Sequence, residues 1–187
     1  MKSKTSLKIK LILLIYSIFF YSCAIDGEEI QILEKVSSTG SILNEDVFLE
    51  SGFKINKEYN VKDLPKALSA VYGWKNVGEE ETRDFEIRFY KSHEDAINFG
   101  KTYADEATGE NAIIRKRDAS WKEGIKDRRT ISTPTDGGSI GAAIGSNSSP
   151  KYGDYIIYEN LIILCEGHKS EESLKRCSLL IGSLKIN

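Results

Sequence analysis

The stretch YGDYIIYENLIILCEG, residues 152–167, constrains the fold more than any other part of the chain. Two apolar runs of strand length flank Glu159-Asn160, which is the pattern of a β-hairpin. The segment SEESLKRCSLLIGSL follows, and its apolar residues fall at helical spacing along one face: Leu174, Cys177, Ile181 and Leu184. A hairpin followed at once by an amphipathic helix predicts a sheet with a helix packed against it.

A strand and a helix are predicted next to each other in the middle of the chain. RDFEIRFY, residues 83–90, predicts a half-buried strand because its side chains alternate between two sets: Phe85, Ile87 and Phe89 against Glu86, Arg88 and Tyr90. Ser92 then opens a helix, with Asp95 three residues later in a pattern close to a capping box. Gly109 is expected to end that helix.

The remaining segments carry less regular patterns. VKDLPKALSAVYGW, residues 61–74, predicts a helix from a cap at Asp63, Pro65 in the first turn, a stop at Gly73 and apolar residues at helical spacing: Leu64, Leu68 and Val71. NAIIRKR, residues 111–117, predicts a short strand. DASWKEGIKDRRT, residues 118–130, is compatible with either a helix or a strand. The Gly- and Ser-rich stretch 136–149 predicts a loop. These elements predict an α+β fold, with a mostly antiparallel sheet covered by two or three helices.

The first 22 residues have the order of charge and apolar sequence that marks an export signal. Four lysines precede an apolar run of roughly 13 residues, whereas a membrane-crossing helix needs about 20. Acidic residues close off any extension of the run, so a cleaved signal is favoured over an uncleaved anchor. Removing the four lysines leaves 22 basic against 28 acidic residues, a formal charge of −6, so a nucleic-acid partner is not expected.

Cys23 sits at the junction between this signal and the rest of the chain. FYSC resembles the signal end of bacterial lipoproteins, in which a small residue directly precedes the cysteine that receives lipid; Phe20 and Tyr21 depart from the usual residues. The resemblance covers residues 1–23 and implies a membrane partner through lipid on Cys23, on the periplasmic or surface face of a bacterial membrane. It predicts a signal at 1–22, a polar tether at 23–45 and a single α+β domain at 46–187. Cleavage after Ala24, which releases a soluble secreted protein, is the alternative.

The two other cysteines are predicted to form a disulfide. Cys165 shares a strand face with Leu161 and Ile163, and Cys177 lies on the apolar face of the following helix. If that helix packs on that strand, the two sulfur atoms meet, and an exported protein meets an oxidising compartment. Two buried free thiols are the alternative.

The alternative interpretation of the function is a serine hydrolase. Gly137-Gly138-Ser139-Ile140-Gly141 matches G-x-S-x-G, and Asp154 and His168 follow in the order that such hydrolases use. The flanking sequence lacks the buried strand that exposes the serine, so no catalytic residue is predicted and a non-catalytic domain is favoured. His93, Glu94 and Asp95 diverge at a helix start, and no motif for a metal, haem, phosphate or dinucleotide occurs; no cofactor is therefore expected.

Aromatic and basic residues supply the candidate ligand site. A groove for a sugar, peptide or anionic group would combine stacking rings with planar donors, and the candidates are Trp74, Trp121, Tyr152, Tyr155, Arg128 and Arg129. In the competing interpretation the two tryptophans belong to the core and the arginines form a solvated edge. The sequence thus predicts a binding domain for a protein or small-molecule ligand of unspecified identity.

Overall fold

A six-stranded sheet forms the centre of the fold in a computed structural model, which describes residues 31–79, 81–131 and 148–186. The strands in chain order are β1 (Val36–Ser37), β2 (Lys54–Glu58), β3 (Ala67–Lys75), β4 (Arg83–Tyr90), β5 (Arg129–Ile131), β6 (Ser148–Pro150), β7 (Tyr152–Tyr158) and β8 (Leu161–Glu166). The main sheet has the order β1-β7-β8-β4-β3-β2, and β5 pairs with β6 in a separate ribbon. Only the β1–β7 pair is parallel among these strands.

Helices cover both faces of this sheet. They are α1 (Glu45–Glu50), α2 (His93–Asp95), α3 (Lys101–Ala107) and α4 (Ser170–Gly182), and a π-helical turn (Ala96–Gly100) joins α2 to α3. The predicted α+β class with a mostly antiparallel sheet is confirmed. The signal at 1–22, Cys23 and the serine of the G-x-S-x-G stretch lie outside the described residues.

One face of the sheet is an apolar core that packs against α1 and α4. Its buried side chains come from α1 and the turn after it, β3, β4, β7, β8 and α4: Phe48, Phe53, Val71, Phe85, Ile87, Phe89, Ile156, Leu161, Ile163, Leu180 and Ile181. Cys165 on β8 and Cys177 on α4 form the predicted disulfide within this core, with their Cα atoms 5.7 Å apart. We call this side the α4 face.

The opposite face packs against the π-helical turn, α3 and the loop that follows α3. Tyr90, Ile162 and Leu164 from the sheet contact Ala96 and Ala104 from the helical segment. A Cβ on Gly100 would lie 2.4 Å from the Tyr90 hydroxyl oxygen, so only glycine allows the helix to approach this closely. We call this side the α3 face.

The predictions that rest on sequence patterns within a single element are confirmed. The strand at 83–90 matches β4, the hairpin turns at Glu159 with φ 51°, and the last predicted helix is α4. Ser92 Oγ accepts a hydrogen bond from Asp95 N, and Gly109 has φ 81° just after α3. These elements depend on short-range spacing and turn chemistry, which the sequence displays directly.

The helix predicted over residues 61–74 is wrong. Residues 67–75 form β3, which pairs with β2 on one side and β4 on the other. Ala70 and Val71 are both buried, on opposite faces, and a Cβ on Gly73 would clash with Phe53. Hydrogen bonding to two neighbouring strands therefore outweighs a helical spacing that only three apolar residues supported.

The side chains of β4 that alternate with the phenylalanines are also buried, which corrects the half-buried prediction. Glu86, Arg88 and Tyr90 each have 0% exposure because the α3 face is covered by helix and loop. The predicted strand at 111–117 is wrong as well, since that stretch forms turns and irregular backbone. Residues 118–130, which the sequence made compatible with either a helix or a strand, form a regular element only at their end, where β5 begins.

The end of the predicted tether belongs to the fold. β1 pairs with β7, Leu33 N donates to Ser178 Oγ at 2.8 Å, and Leu43 N donates to Asn160 Oδ1 at 2.7 Å. The described contacts of the folded unit therefore begin near Leu33, within the predicted tether. The short polar sequence of this segment does not show that it is part of the fold, because its hydrogen-bond partners lie more than 100 residues away in the chain.

Candidate functional site

The loop between α3 and β5 is fixed to the α3 face by one tryptophan. Trp121 is 1% exposed, packs edge-on against Tyr59 with ring centroids 5.9 Å apart, and donates from Nε1 to Asn60 O at 3.3 Å. Ile113 N and Ser120 N bond to Glu106, which ties the start of the loop to α3. A segment without helix or strand thus has a defined path over the sheet.

Three charged side chains beneath this loop form a buried cluster, which we call the buried triad: Glu86, Arg88 and Arg128. Arg128 Nε donates to Glu86 Oε2 at 2.7 Å and its Nη2 donates to Oε1 at 3.0 Å. Arg88 Nε donates to Oε1 at 2.8 Å. Both guanidinium groups stack on Trp121, at 5.1 Å for Arg88 and 4.6 Å for Arg128. The triad therefore links the loop to the centre of β4.

The charges of the triad stabilise one another. Burial alone raises the pKa of Glu86, but the positive charges of Arg128 and Arg88 outweigh burial and hold that pKa below its ordinary 4.5. Burial lowers the pKa of Arg128, and the Glu86 carboxylate more than offsets this. Glu86 is consequently ionised at neutral pH, and the Arg128 contact with it is a charge-assisted, bidentate hydrogen bond.

A groove with basic walls opens on the outer side of the same loop. Its cavity of about 320 Å³ is lined by β2 and loop residues: Lys57, Glu58, Tyr59, Lys116, Lys122, Glu123, Gly124, Ile125, Lys126, Asp127 and Arg129. A more open depression of about 450 Å³ adjoins it through Lys116 and Arg129 and adds Arg115 and Arg117. We call the two together the basic groove.

Most cations of the basic groove lack a carboxylate partner. Lys57 pairs with Asp127 at 2.7 Å and Arg117 pairs with Asp118 at 3.3 Å. Within the described residues, no salt bridge involves the other five: Arg115, Lys116, Lys122, Lys126 and Arg129. Residues 115–129 hold seven basic and three acidic side chains, in a chain that is otherwise acidic after residue 22. The groove is thus a local site of positive potential.

The structure separates the predicted ligand-site residues. Arg128 is a member of the triad, Trp121 packs against its guanidinium groups, Tyr152 is buried on β7, and Arg129 lines the basic groove. Tyr155 is buried and donates from its hydroxyl to Asp105. Trp74 lies elsewhere, 41% exposed on β3 opposite Lys54. Glu86 and Arg88 were not predicted as site residues from the sequence; the seven basic residues within 115–129 were the available signal for the groove.

The residues proposed to accompany a nucleophilic serine are used in other contacts. Asp154 accepts hydrogen bonds from Lys35 Nζ, Tyr155 N and Ser170 Oγ. His168 is exposed, and its backbone N–H donates to Glu172 Oε2. The described residues therefore contain no Asp–His hydrogen bond at this place, and Ser139 lies outside them.

Two further properties concern metals and membranes. In the part of the chain that the structure describes, no group of three or more His, Cys, Asp or Glu side chains is placed to hold a metal ion. No helix in the same residues combines the length and apolar composition that a membrane crossing requires.

Comparison with known proteins gives one match. A family model described as a family of unknown function, DUF6810, matches residues 45–186. No curated protein and no solved structure matches the chain. The matched range begins at α1 and includes β2 to α4, so it contains the buried triad and the basic groove.

Proposed function

The chain belongs to this family of unknown function, and we propose that it is a lipid-anchored protein of the bacterial envelope whose domain binds an anionic ligand in the basic groove. Anion binding is supported by the convergence on one groove of five cations that have no salt bridge among the described residues, in an otherwise acidic domain. The lipid anchor is inferred from the export signal and from Cys23 at its end.

An independent structural feature supports export. Cys165 and Cys177 are disulfide-bonded in the core, and such bonds persist in oxidising compartments outside the cytosol. The described fold starts near Leu33, about ten residues after Cys23. Extended chain spans at most about 3.5 Å per residue, so lipid on Cys23 would hold the domain within about 35 Å of the membrane.

The basic groove and the N-terminal segment lie on opposite edges of the sheet. The N-terminal segment enters at β1, on one edge of the sheet, whereas Lys57 and Tyr59 bring the groove to β2, on the opposite edge. Six strands at a spacing of about 4.8 Å put these edges roughly 24 Å apart. We infer that the groove binds a soluble or polymeric anion presented in the envelope.

Lipid attachment is tested by the intact mass and membrane partition of the native protein. Attachment at Cys23 predicts a mature chain that starts at Cys23, carries the added mass of acyl chains and enters the detergent phase. Cys23→Ala should lose both properties. A wild-type mature chain that starts at Ile25 without added mass identifies the secreted alternative and contradicts anchoring.

Anion binding is tested with tripolyphosphate and two variants of equal charge. Lys116→Gln/Lys122→Gln/Lys126→Gln removes three groove lysines, and Lys54→Gln/Lys91→Gln/Lys185→Gln removes three exposed lysines outside it. At low salt the groove variant should bind about tenfold more weakly or worse, since each exposed ion pair contributes up to about 1 kcal/mol. The matched control should stay within about twofold of wild type. Equal losses in both variants would show that net charge, and not the groove, attracts the probe.

A further inference from the structure

The buried triad carries an uncompensated positive charge. It contains two guanidinium groups and one carboxylate, and the exposed fractions of Glu86, Arg88 and Arg128 are 0%, 0% and 2%. Arg128 contacts both carboxylate oxygens and Arg88 contacts Oε1, so a single carboxylate balances two guanidinium groups. A buried charge without a counter-charge is strongly destabilising.

The hydrogen-bond donors of Arg88 outnumber the acceptors around them in the described residues. Its Nη1 and Nη2 are buried and have no hydrogen-bond acceptor in residues 31–79, 81–131 and 148–186. Nη2 lies 2.8 Å from Glu86 Oε1, yet without the geometry of a hydrogen bond. Buried polar groups in proteins are normally satisfied, so these donors indicate a ligand with lone pairs.

Tyr90 supplies a further donor beside Arg88. The two residues are two positions apart on β4, so both side chains stand on the α3 face, about 7 Å apart at Cα. The Tyr90 hydroxyl lies under Gly100 in the π-helical turn and has no hydrogen-bond partner among the described residues. Single π-helical turns within a helix are frequent at functional sites.

We propose that the α3 face contains an internal site for a small monovalent anion of chloride size, held by Arg88 Nη1 and Nη2 and the Tyr90 hydroxyl. A water molecule would accept the hydrogen bonds but leave the positive charge uncompensated, whereas an anion satisfies both. The site is separate from the basic groove and does not depend on the proposed function. It completes the charge balance of the residues that support the loop.

Diffraction from crystals of the wild-type domain containing bromide tests the site directly. An anomalous peak in contact with Arg88 Nη1 or Nη2 and the Tyr90 hydroxyl oxygen is expected. Crystals that show only a water molecule there, or bromide only at the protein surface, would overturn the proposal.

Thermal unfolding in solution distinguishes a built site from binding at crystal concentration only. Replacing gluconate by 200 mM chloride at constant ionic strength should raise the wild-type midpoint by about 5 °C. Arg88→Met should lose this rise and Tyr90→Phe should reduce it. A rise that is retained in full by Arg88→Met, or that is absent in wild type, rejects the site.

Two matched variants control for the loss of an arginine or a tyrosine hydroxyl. Arg176 is 6% exposed but already paired with Glu79 and Glu172, so Arg176→Met should keep the chloride response. Tyr158 lies on β7 and packs against the core of the α4 face, so Tyr158→Phe should keep it too. If Arg88→Met does not fold, the bromide experiment on the wild-type protein still decides.

Discussion

The two faces of the central sheet are built from alternate residues of the same strands, yet they use different chemistry. On β4, Phe85, Ile87 and Phe89 enter the apolar core of the α4 face, while Glu86 and Arg88 enter the charged interior of the α3 face. The α4 face adds a disulfide, and the α3 face adds a π-helical turn and buried donors that have no hydrogen-bond partner among the described residues. Burial of apolar groups stabilises a fold through a non-directional interaction, whereas hydrogen-bonded ion pairs fix the positions of individual charged groups.

This contrast teaches that the α3 face positions charge at some cost in stability. The buried triad draws Arg128 inward and leaves Arg129, the next residue, at the basic groove. The α4 face, in turn, contributes the apolar burial and the covalent link that offset such a cost. The predictions below probe each face in turn.

The largest expected effect comes from neutralising the acid of the triad. Glu86→Gln leaves two buried guanidinium groups without a counter-charge, which should lower the free energy of unfolding by about 3–5 kcal/mol. Urea unfolding measures this, with Glu58→Gln on exposed β2 as the control, expected within about 0.5 kcal/mol of wild type. A loss below about 1 kcal/mol would remove the distinction between the two faces.

The covalent link of the α4 face should rank next. Cys165→Ala/Cys177→Ala opens a loop with a sequence separation of 12 residues, for which chain entropy predicts a loss of about 3 kcal/mol. Unfolding of the oxidised wild type and of the double variant gives the difference. Alkylation without reductant should leave both wild-type cysteines unmodified, and labelling of both would contradict the bond.

Acid should weaken the α3 face through Glu86. Its pKa is depressed in the folded state, so its contribution is present above its unfolded pKa, near 4.5, and is lost as pH falls through the folded value. Unfolding free energy should therefore decrease as pH drops below about 4.5. The decrease should be shallower in Glu86→Gln, and parallel curves would show that other carboxylates, such as Glu79 with Arg176, carry it.

The smallest effect on stability is expected in the groove itself. Lys122 is exposed and has no salt bridge among the described residues, so Lys122→Gln should change the free energy of unfolding by less than about 0.5 kcal/mol. Its binding of tripolyphosphate should still weaken. A loss of stability comparable with that of Glu86→Gln would mean that the groove lysines hold the loop in place.

The fold could be predicted where the signal is local. The Glu159-Asn160 hairpin, β4, the Ser92 cap and α4 follow from spacing and turn chemistry, and the disulfide follows from which faces meet. β3 was predicted as a helix because its pairing with two other strands is a tertiary property. The short N-terminal strand β1 was missed for the same reason, since its partner β7 lies over 100 residues away.

The candidate site could be predicted only in part. Arg128, a member of the triad, and Trp121, which packs against both of its guanidinium groups, were identified from residue type. Glu86 and Arg88 were missed because alternation along a strand shows which residues share a face, but not whether that face is covered. Trp74 lies near the end of β3 and is 41% exposed, whereas Trp121 is buried in the loop between α3 and β5, so residue type alone could not separate them.

An NMR titration of the folded domain with tripolyphosphate tests the central claim most directly. Backbone amide shifts should change in residues 57–59, 115–117, 122–127 and 129, which line the basic groove, and not in α4. The Lys116→Gln/Lys122→Gln/Lys126→Gln variant should show much smaller changes under the same conditions. Shifts spread evenly over both faces, or centred on α4, would contradict a division in which the α3 face presents charge and the α4 face stabilises the fold.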